Sequence, residues 1–305
     1  MAGSTRGCDM IEVEAVAAET GASVRAAASE SRLVGRLRHS RSAQLGAAIL
    51  IAIVVAALLG PLASRYGYDQ LDWRHIAVPP LSGAHWLGSD RLGRDLAVRM
   101  LYGARLSLAI GFTATAVSVV IGVAWGAAAG FAGGRIDAVM MRIVDGLNSL
   151  PYLLLVIALT TLFGRGNPYV LFAGIGAVGW ITMARIVRGQ ALSLTRRSFI
   201  EAAVASGASA PRIVARHIIP NLAGPVVVYA ALTVPQMILF ESFLSFLGLG
   251  IQEPLASLGS LIRDGAAQMG SAPWLLAVPA SLLALLLLGL NLLGDALRDA
   301  LDPRG

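Results

Sequence analysis

Long apolar runs alternate with short polar stretches along the whole chain, and the lengths of those runs set the first expectation. A helix needs about 20 apolar residues to cross the hydrocarbon core of a bilayer. Runs of that order extend from about Leu45 to Ala63, Leu106 to Gly130, Val139 to Phe163, Tyr169 to Val187, Leu222 to Leu247 and Trp274 to Leu293. The third is interrupted by Asp145, Asn148 and Ser149. The pattern predicts an all-α integral membrane protein with six transmembrane helices. It divides the chain into a disordered polar tail (1–43), a first transmembrane helix (44–64), an extracytoplasmic segment (65–105), a five-helix core (106–295) and a C-terminal tail (296–305).

Composition agrees. Of 305 residues, 56% are hydrophobic and 14% charged, where a soluble domain carries about a quarter charged. The net charge is +6 and the sequence contains no lysine, so all 24 basic residues are arginine. A Schiff-base lysine and the lysine of a phosphate-binding P-loop are therefore excluded. Cys8 stands alone, which excludes an internal disulfide and a cysteine metal cluster. The histidines (His39, His75, His85, His217) show no i, i+4 pair, and no metal site is expected. Membrane lipid is an expected partner and nucleic acid is not. With the N-terminus inside, 16 of the 24 arginines fall in cytoplasmic segments, so both termini are expected in the cytoplasm. The first outer segment dissents with six arginines, in the company of Asp69, Asp72, Asp90 and Asp95.

One polar stretch is patterned. "SFIEAAVASGASAPRIVARHIIPN" (198–221) lies between the fourth and fifth spans. Ser198 and Glu201 have capping-box spacing, Ala202 and Ala203 favour helix, and Gly207 is a natural helix stop. Ser209 can cap a second helix with Pro211 in its first turn. Ile213, Val214 and Ile218 form an apolar strip, while Arg212 and Arg216 share another face. Two short helices around a glycine turn are predicted at the membrane surface. On residues alone they serve either as an interfacial anchor or as a docking site for a soluble partner.

Elsewhere, Asp90–Arg94 and Arg91–Asp95 have the i, i+4 spacing of ion pairs on a surface helix within 85–105, and a structural role is favoured there. Asp145 and Glu241 are carboxylates in apolar spans, where such groups usually face a bundle interior or a pathway. Each is a candidate polar residue of a translocation path, although Arg142 at i−3 offers Asp145 a simpler pairing. The small residues of 122–134 are expected to permit close helix packing, and Pro151 and Pro235 to be accommodated by packing.

The spacing of Glu201-Ala202-Ala203, Gly207 and Pro220 is similar to the EAA loop of ATP-binding-cassette (ABC) importer permeases, and "HIIPN" (217–221) resembles the peptide-permease branch, with Ile219 where leucine is usual. "HWLGSDRLGRDLAVRMLYGARLSL" (85–108), "ESFLSFLGLGIQEP" (241–254) and "NLLGDALRDALDPR" (291–304) resemble the C-type permease subunits of dipeptide, oligopeptide and nickel importers. The resemblance implies a type I ABC importer permease fold in a bacterial plasma (inner) membrane. It implies an ATPase-coupling loop carried by Glu201, Ala202, Ala203, Gly207, Arg212, Arg216, His217 and Pro220. The implied partners are a second homologous permease, cytoplasmic ABC ATPases and an extracytoplasmic substrate-binding protein that docks on the outer side. The chain itself would hold no cofactor and no catalytic residue, with ATP and magnesium in the ATPase partners. A nickel-chelate importer is the near alternative. An ion-coupled secondary transporter is the distant one; it would need coupling carboxylates, for which Asp145 is the one plausible candidate, and no internal repeat is evident.

Overall fold

The computed structural model describes residues 35–82, 85–163 and 168–301; the tail before residue 35 and the last four residues lie outside them. Five of the six predicted apolar runs fall on one helix each and the third on two, and the helix ends are set by local chemistry. Helix α1 (Arg41–Ala63) starts where Ser40 accepts a hydrogen bond from the Ala43 amide. Helix α2 (Leu96–Ala132) starts where the Asp95 carboxylate accepts from the Val98 amide at 2.9 Å. It ends at Gly133, whose φ of 61° glycine adopts without strain. Helix α2 thus begins ten residues before the predicted second span. The surface helix expected within 85–105 is a compact loop up to Asp95, and only its last part is helical.

The third predicted span is corrected as well. It consists of α3 (Gly134–Asn148) and α4 (Tyr152–Phe163), bent by 83° about the break. Pro151 stands at that break, where its missing N–H and its ring would disrupt a continuous helix. Next come α5 (Pro168–Leu194), α6 (Ser198–Ala205) and the composite α7, made of Ala210–Ile213, a widened π-type turn Val214–Ile218, and Ile219–Asn221. Helix α8 (Ala223–Phe246), the short α9 (Leu258–Ala266) and α10 (Trp274–Leu301) complete the chain. Helix α10 runs eight residues past the predicted end of the sixth span, into the stretch read as a tail. Among the described residues, α1, α2, α8 and α10 are each long and apolar enough to cross a membrane, and the bent α3–α4 pair brings the number to five. The 27 residues of α5 include Arg185 and Arg188 in their second half.

Helix α2 is the central rod. Gly122 and Gly130, two turns apart on one face, lie against α5. A Cβ on Gly122 would stand 2.6 Å from the Met183 Cβ, and one on Gly130 would stand 2.6 Å from the Ala191 Cβ. The small residues between 122 and 130 therefore permit backbone contact, the way helices associate where apolar lipid supplies no hydrophobic drive between them. Ala104 of α2 shares a buried cluster with Ile53 of α1, Val234 and Ile238 of α8, and Leu286 of α10. Large apolar side chains such as Leu62 and Val120 point outward, 81% and 69% exposed, as an apolar solvent permits.

Candidate functional site

At the C-terminal end of α2 the chain from Ser198 to Asn221 folds into a helical hairpin. Its first helix does not begin with the expected capping box. Arg197, in extended conformation, is the N-cap and makes no side-chain cap bond, while Ser198 is already in the first turn. The preceding turn, closed by the Arg197 amide on the Leu194 carbonyl at 2.9 Å, sets that register. It places Ile200 inward, only 2% exposed. The helix stops as predicted at Gly207, where φ is +80°. The Ala208 amide reaches the Ala203 carbonyl at 3.1 Å and the Gly207 amide reaches Val204 at 2.9 Å, a Schellman closure.

Ser209 is the N-cap of the second helix, without a side-chain cap bond, and Pro211 occupies its first turn. The π-type turn brings the Ile219 amide onto the Val214 carbonyl. Such widening relieves the clash that the Pro220 ring would otherwise make with the carbonyl four residues back. Ile213 and Ile218 are buried with Ile200 and Leu222 against Val123 and Ala127 of α2 and Met183, Val187 and Ala191 of α5. The apolar strip therefore packs on the protein's own helices. The opposite face holds Glu201, Ala202, Gly207, Arg212, Arg216 and Pro220, all exposed, with Ala203 and His217 half-buried at its border. Nothing within 4 Å would meet a Cβ at Gly207.

Beside the hairpin, two ion pairs tie α3 to α5. Arg188 grips Asp137 through Nε and a terminal nitrogen, both at 2.5 Å. Asp145 pairs with Arg185 at 2.8 Å, in place of the Arg142 pairing expected from sequence. These arginines come from a helix 40 to 51 residues downstream, which no local spacing reveals. From there a cleft of about 550 Å³ opens between the α3–α4 break, α5 and α8, lined among others by Asn148, Pro151, Thr182, Thr233, Gln236 and Phe240. Glu241 is fully buried one turn away from it. Its carboxylate accepts from Ser107 of α2 at 2.9 Å and from Ser245 at 2.7 Å, so its hydrogen bonds lock α8 to α2.

The N-terminal end of α2 is a second polar cluster. Arg94 is nearly buried between Asp90, 2.7 Å from Nε, and Glu253, 2.9 Å from a terminal nitrogen. The Arg94 hydrogen bond holds the Glu253 carboxyl below its usual range. Asp90 and Arg94 thus pair as the spacing suggests, although in a loop. The Arg91–Asp95 pairing gives way to Asp95 capping α2 and contacting His85 at 2.8 Å. Two of the sequence segments noted above, 85–108 and 241–254, meet here through Arg94–Glu253 and Ser107–Glu241.

Residues 101–304 match the family model for the binding-protein-dependent transport system inner membrane component. The chain belongs to that family. Residues 31–80 of the permease also match the N-terminal transmembrane domain of oligopeptide transport permease C. Over 270 residues the permease is 50% identical to the oligopeptide transport system permease protein OppC of Escherichia coli K12, covering 88% of this chain and 89% of that one. It is 43% identical to OppC of Bacillus subtilis over 269 residues (88% of each chain), and 44% identical to the dipeptide transport system permease protein DppC of the same organism over 270 residues (88% and 84%). Among solved structures, an inward-facing form of the MetNI methionine ABC transporter superposes with a TM-score of 0.52 at 20% identity, covering 67% of this chain and 96% of that one. That likeness establishes the shared permease fold. With its several apolar spans, the permease is a multi-pass membrane protein.

Proposed function

We propose that the permease forms half of the translocation pathway of an ATP-driven peptide importer and that residues 198–221 couple it to an ATPase. The exposed face of the hairpin carries this proposal: a helix, a glycine turn and an arginine-bearing helix, supported from beneath by Ile200, Ile213 and Ile218. Relatives named for oligopeptide and dipeptide transport support the peptide substrate. Both termini then lie in the cytoplasm with six crossings, and the cluster around Arg94 faces outward.

Glu201, Ala202, Ala203, Gly207, Arg212, Arg216, His217 and Pro220 form the contact surface for a cytoplasmic ABC ATPase. The chain contributes no nucleotide chemistry, in keeping with the absence of any lysine to hold phosphates; ATP and magnesium reside in the ATPase partners. A second, similar permease completes the pathway and an extracytoplasmic binding protein delivers the peptide. Closure of the ATPases pushes the hairpin. The push passes through its buried isoleucines to α2 and α5, and through Arg188–Asp137 and Arg185–Asp145 to α3, beside the cleft. Asp145 and its arginine lie where that cleft changes shape, whereas Glu241 holds α8 on α2 as the rest moves.

Gly207→Asp tests the coupling role. Aspartate tolerates a left-handed backbone better than most residues and meets no neighbour there, so the hairpin survives with a charge on its turn. Purified from native membranes in mild detergent, the wild-type chain should retain an ABC ATPase and a second permease, and the variant should lose the ATPase alone. Reconstituted with its partners, the complex should take up peptides only with ATP. Transport by the isolated chain without ATP would overturn the proposal.

A further inference from the structure

The loop between α1 and α2 brings His85 onto Asp72 and His75, ten or more residues earlier in the chain. The Ser89 amide bonds the Val78 carbonyl at 3.1 Å and the Ala77 amide bonds Asp90 at 3.0 Å, which folds His85 back over His75. The two imidazoles meet edge to face with centroids 5.7 Å apart. Asp72, three residues before His75, completes the group. Its Oδ2 lies 2.8 Å from His75 Nδ1 and 3.7 Å from His85 Nε2, and the ligand atoms of all three residues lie within 4.8 Å of one another.

We propose that Asp72, His75 and His85 bind a divalent cation of the zinc class. Bond lengths of about 2.0–2.2 Å around a tetrahedral ion put neighbouring ligand atoms roughly 3.4 Å apart, and the observed separations bracket that value.

The decisive feature is His85. It is fully buried, and its Nε2 has no hydrogen-bond partner, an unfavourable condition for a buried polar atom. Its Nδ1 lies 2.8 Å from Asp95 Oδ2, and a carboxylate there requires the proton on Nδ1. Nε2, without a hydrogen-bond partner, then faces Asp72 Oδ2 across 3.7 Å, and in the neutral imidazole it carries the lone pair that a metal needs. Asp95 is itself fixed, since its Oδ1 accepts from the Val98 amide. A carboxylate behind an imidazole is the arrangement that orients histidine ligands toward metals. Asp72 is similarly prepared: Oδ1 accepts from the Arg74 amide at 3.0 Å, leaving Oδ2 toward the histidines. The Asp72–His75 hydrogen bond alone would account for those two residues but leaves the buried nitrogen of His85 unmatched; a cation satisfies all three. His75, with 40% of its side chain exposed, opens the site to solvent. Three protein ligands leave a fourth position for water or for a side chain of a docked protein. The bound ion would fasten the loop between α1 and α2 to itself, whether or not the hairpin couples to an ATPase.

The test uses the full chain, purified without a polyhistidine tag, stripped with chelator and titrated with Co²⁺. One equivalent should bind with the visible absorption of a four-coordinate site, and Zn²⁺ should displace it. His75→Ala, at a partly exposed position, should weaken binding by about 100-fold or more. Asp95→Asn, which keeps a good helix cap but no longer fixes the tautomer, should weaken it by about 10- to 100-fold with an unchanged melting temperature. His39→Ala should bind as the wild type does. Absence of saturable Co²⁺ binding, or undiminished affinity in His75→Ala, would overturn the proposal.

Discussion

The loop from Tyr66 to Asp95 and the hairpin from Ser198 to Asn221 occupy opposite ends of α2. Both are polar and carry acids and arginines, yet they use their charges differently. In the first, Arg94 is wedged between Asp90 and Glu253, Asp95 caps a helix, and His85 is sealed from solvent. In the second, Glu201, Arg212 and Arg216 are exposed, and what holds the hairpin in place is the burial of Ile200, Ile213 and Ile218. The polar residues of one end maintain its shape, whereas those of the other remain available to a second molecule. Charge in the sequence separates the two cases poorly; burial separates them well.

Breaking each end in turn sharpens the contrast. Arg94→Ala should have the largest effect, about 3–5 kcal/mol of lost stability, because it removes a nearly buried cation that bridges Asp90 and Glu253 and leaves Asp90 with Arg99 alone, 3.6 Å away. A marked fall in the melting temperature of the detergent-purified chain would show it. Ile218→Ala should cost about 2–4 kcal/mol, and the loss should appear locally, as faster amide exchange over residues 198–221 with the Arg94 end still protected. Unchanged exchange there would mean that the hairpin is held by something other than its isoleucines.

Acidification should weaken the Arg94 end through Glu253. The folded-state pKa of Glu253 is depressed by Arg94, so the carboxylate's contribution is fully present above its unfolded value, about 4.3, and is lost as pH falls through the lower folded value. The effect is modest, since the Glu253 side chain is 41% exposed. It should disappear in Glu253→Gln, whose melting temperature should follow a flatter course over that range. The smallest change in stability belongs to Arg212→Ala with Arg216→Ala, within about 0.5 kcal/mol for exposed side chains. If the hairpin docks an ATPase, the same pair should nevertheless reduce ATPase retention.

The sequence revealed most of what repeats locally. Apolar runs located the helices, and Gly207 announced a turn from residue type alone. It failed wherever a partner lies far along the chain. Asp145 was matched to Arg142 because that was the near cation, and the crossing of α3 and α5 supplies Arg185 instead. Glu241 shows no local partner in its apolar run, and Ser107 reaches it from 134 residues away. His75 and His85 looked scattered because the spacing sought was helical, while a loop brings them together. Ser198 had the residue type of a cap, but the turn closed by Arg197 on Leu194 took that position.

Helix α2 extends unbroken for 37 residues, about 55 Å at 1.5 Å per residue, against a hydrocarbon layer of about 30 Å. It contains no proline, while α1, α8 and α10 each have one past their first turn, at Pro61, Pro235 and Pro279. Such a strut has length to spare beyond the bilayer and no proline joint along it. If the hairpin couples to an ATPase, α2 would serve as a lever, with the hairpin and the Arg94 cluster as its two handles and the glycine seam on α5 as its fulcrum.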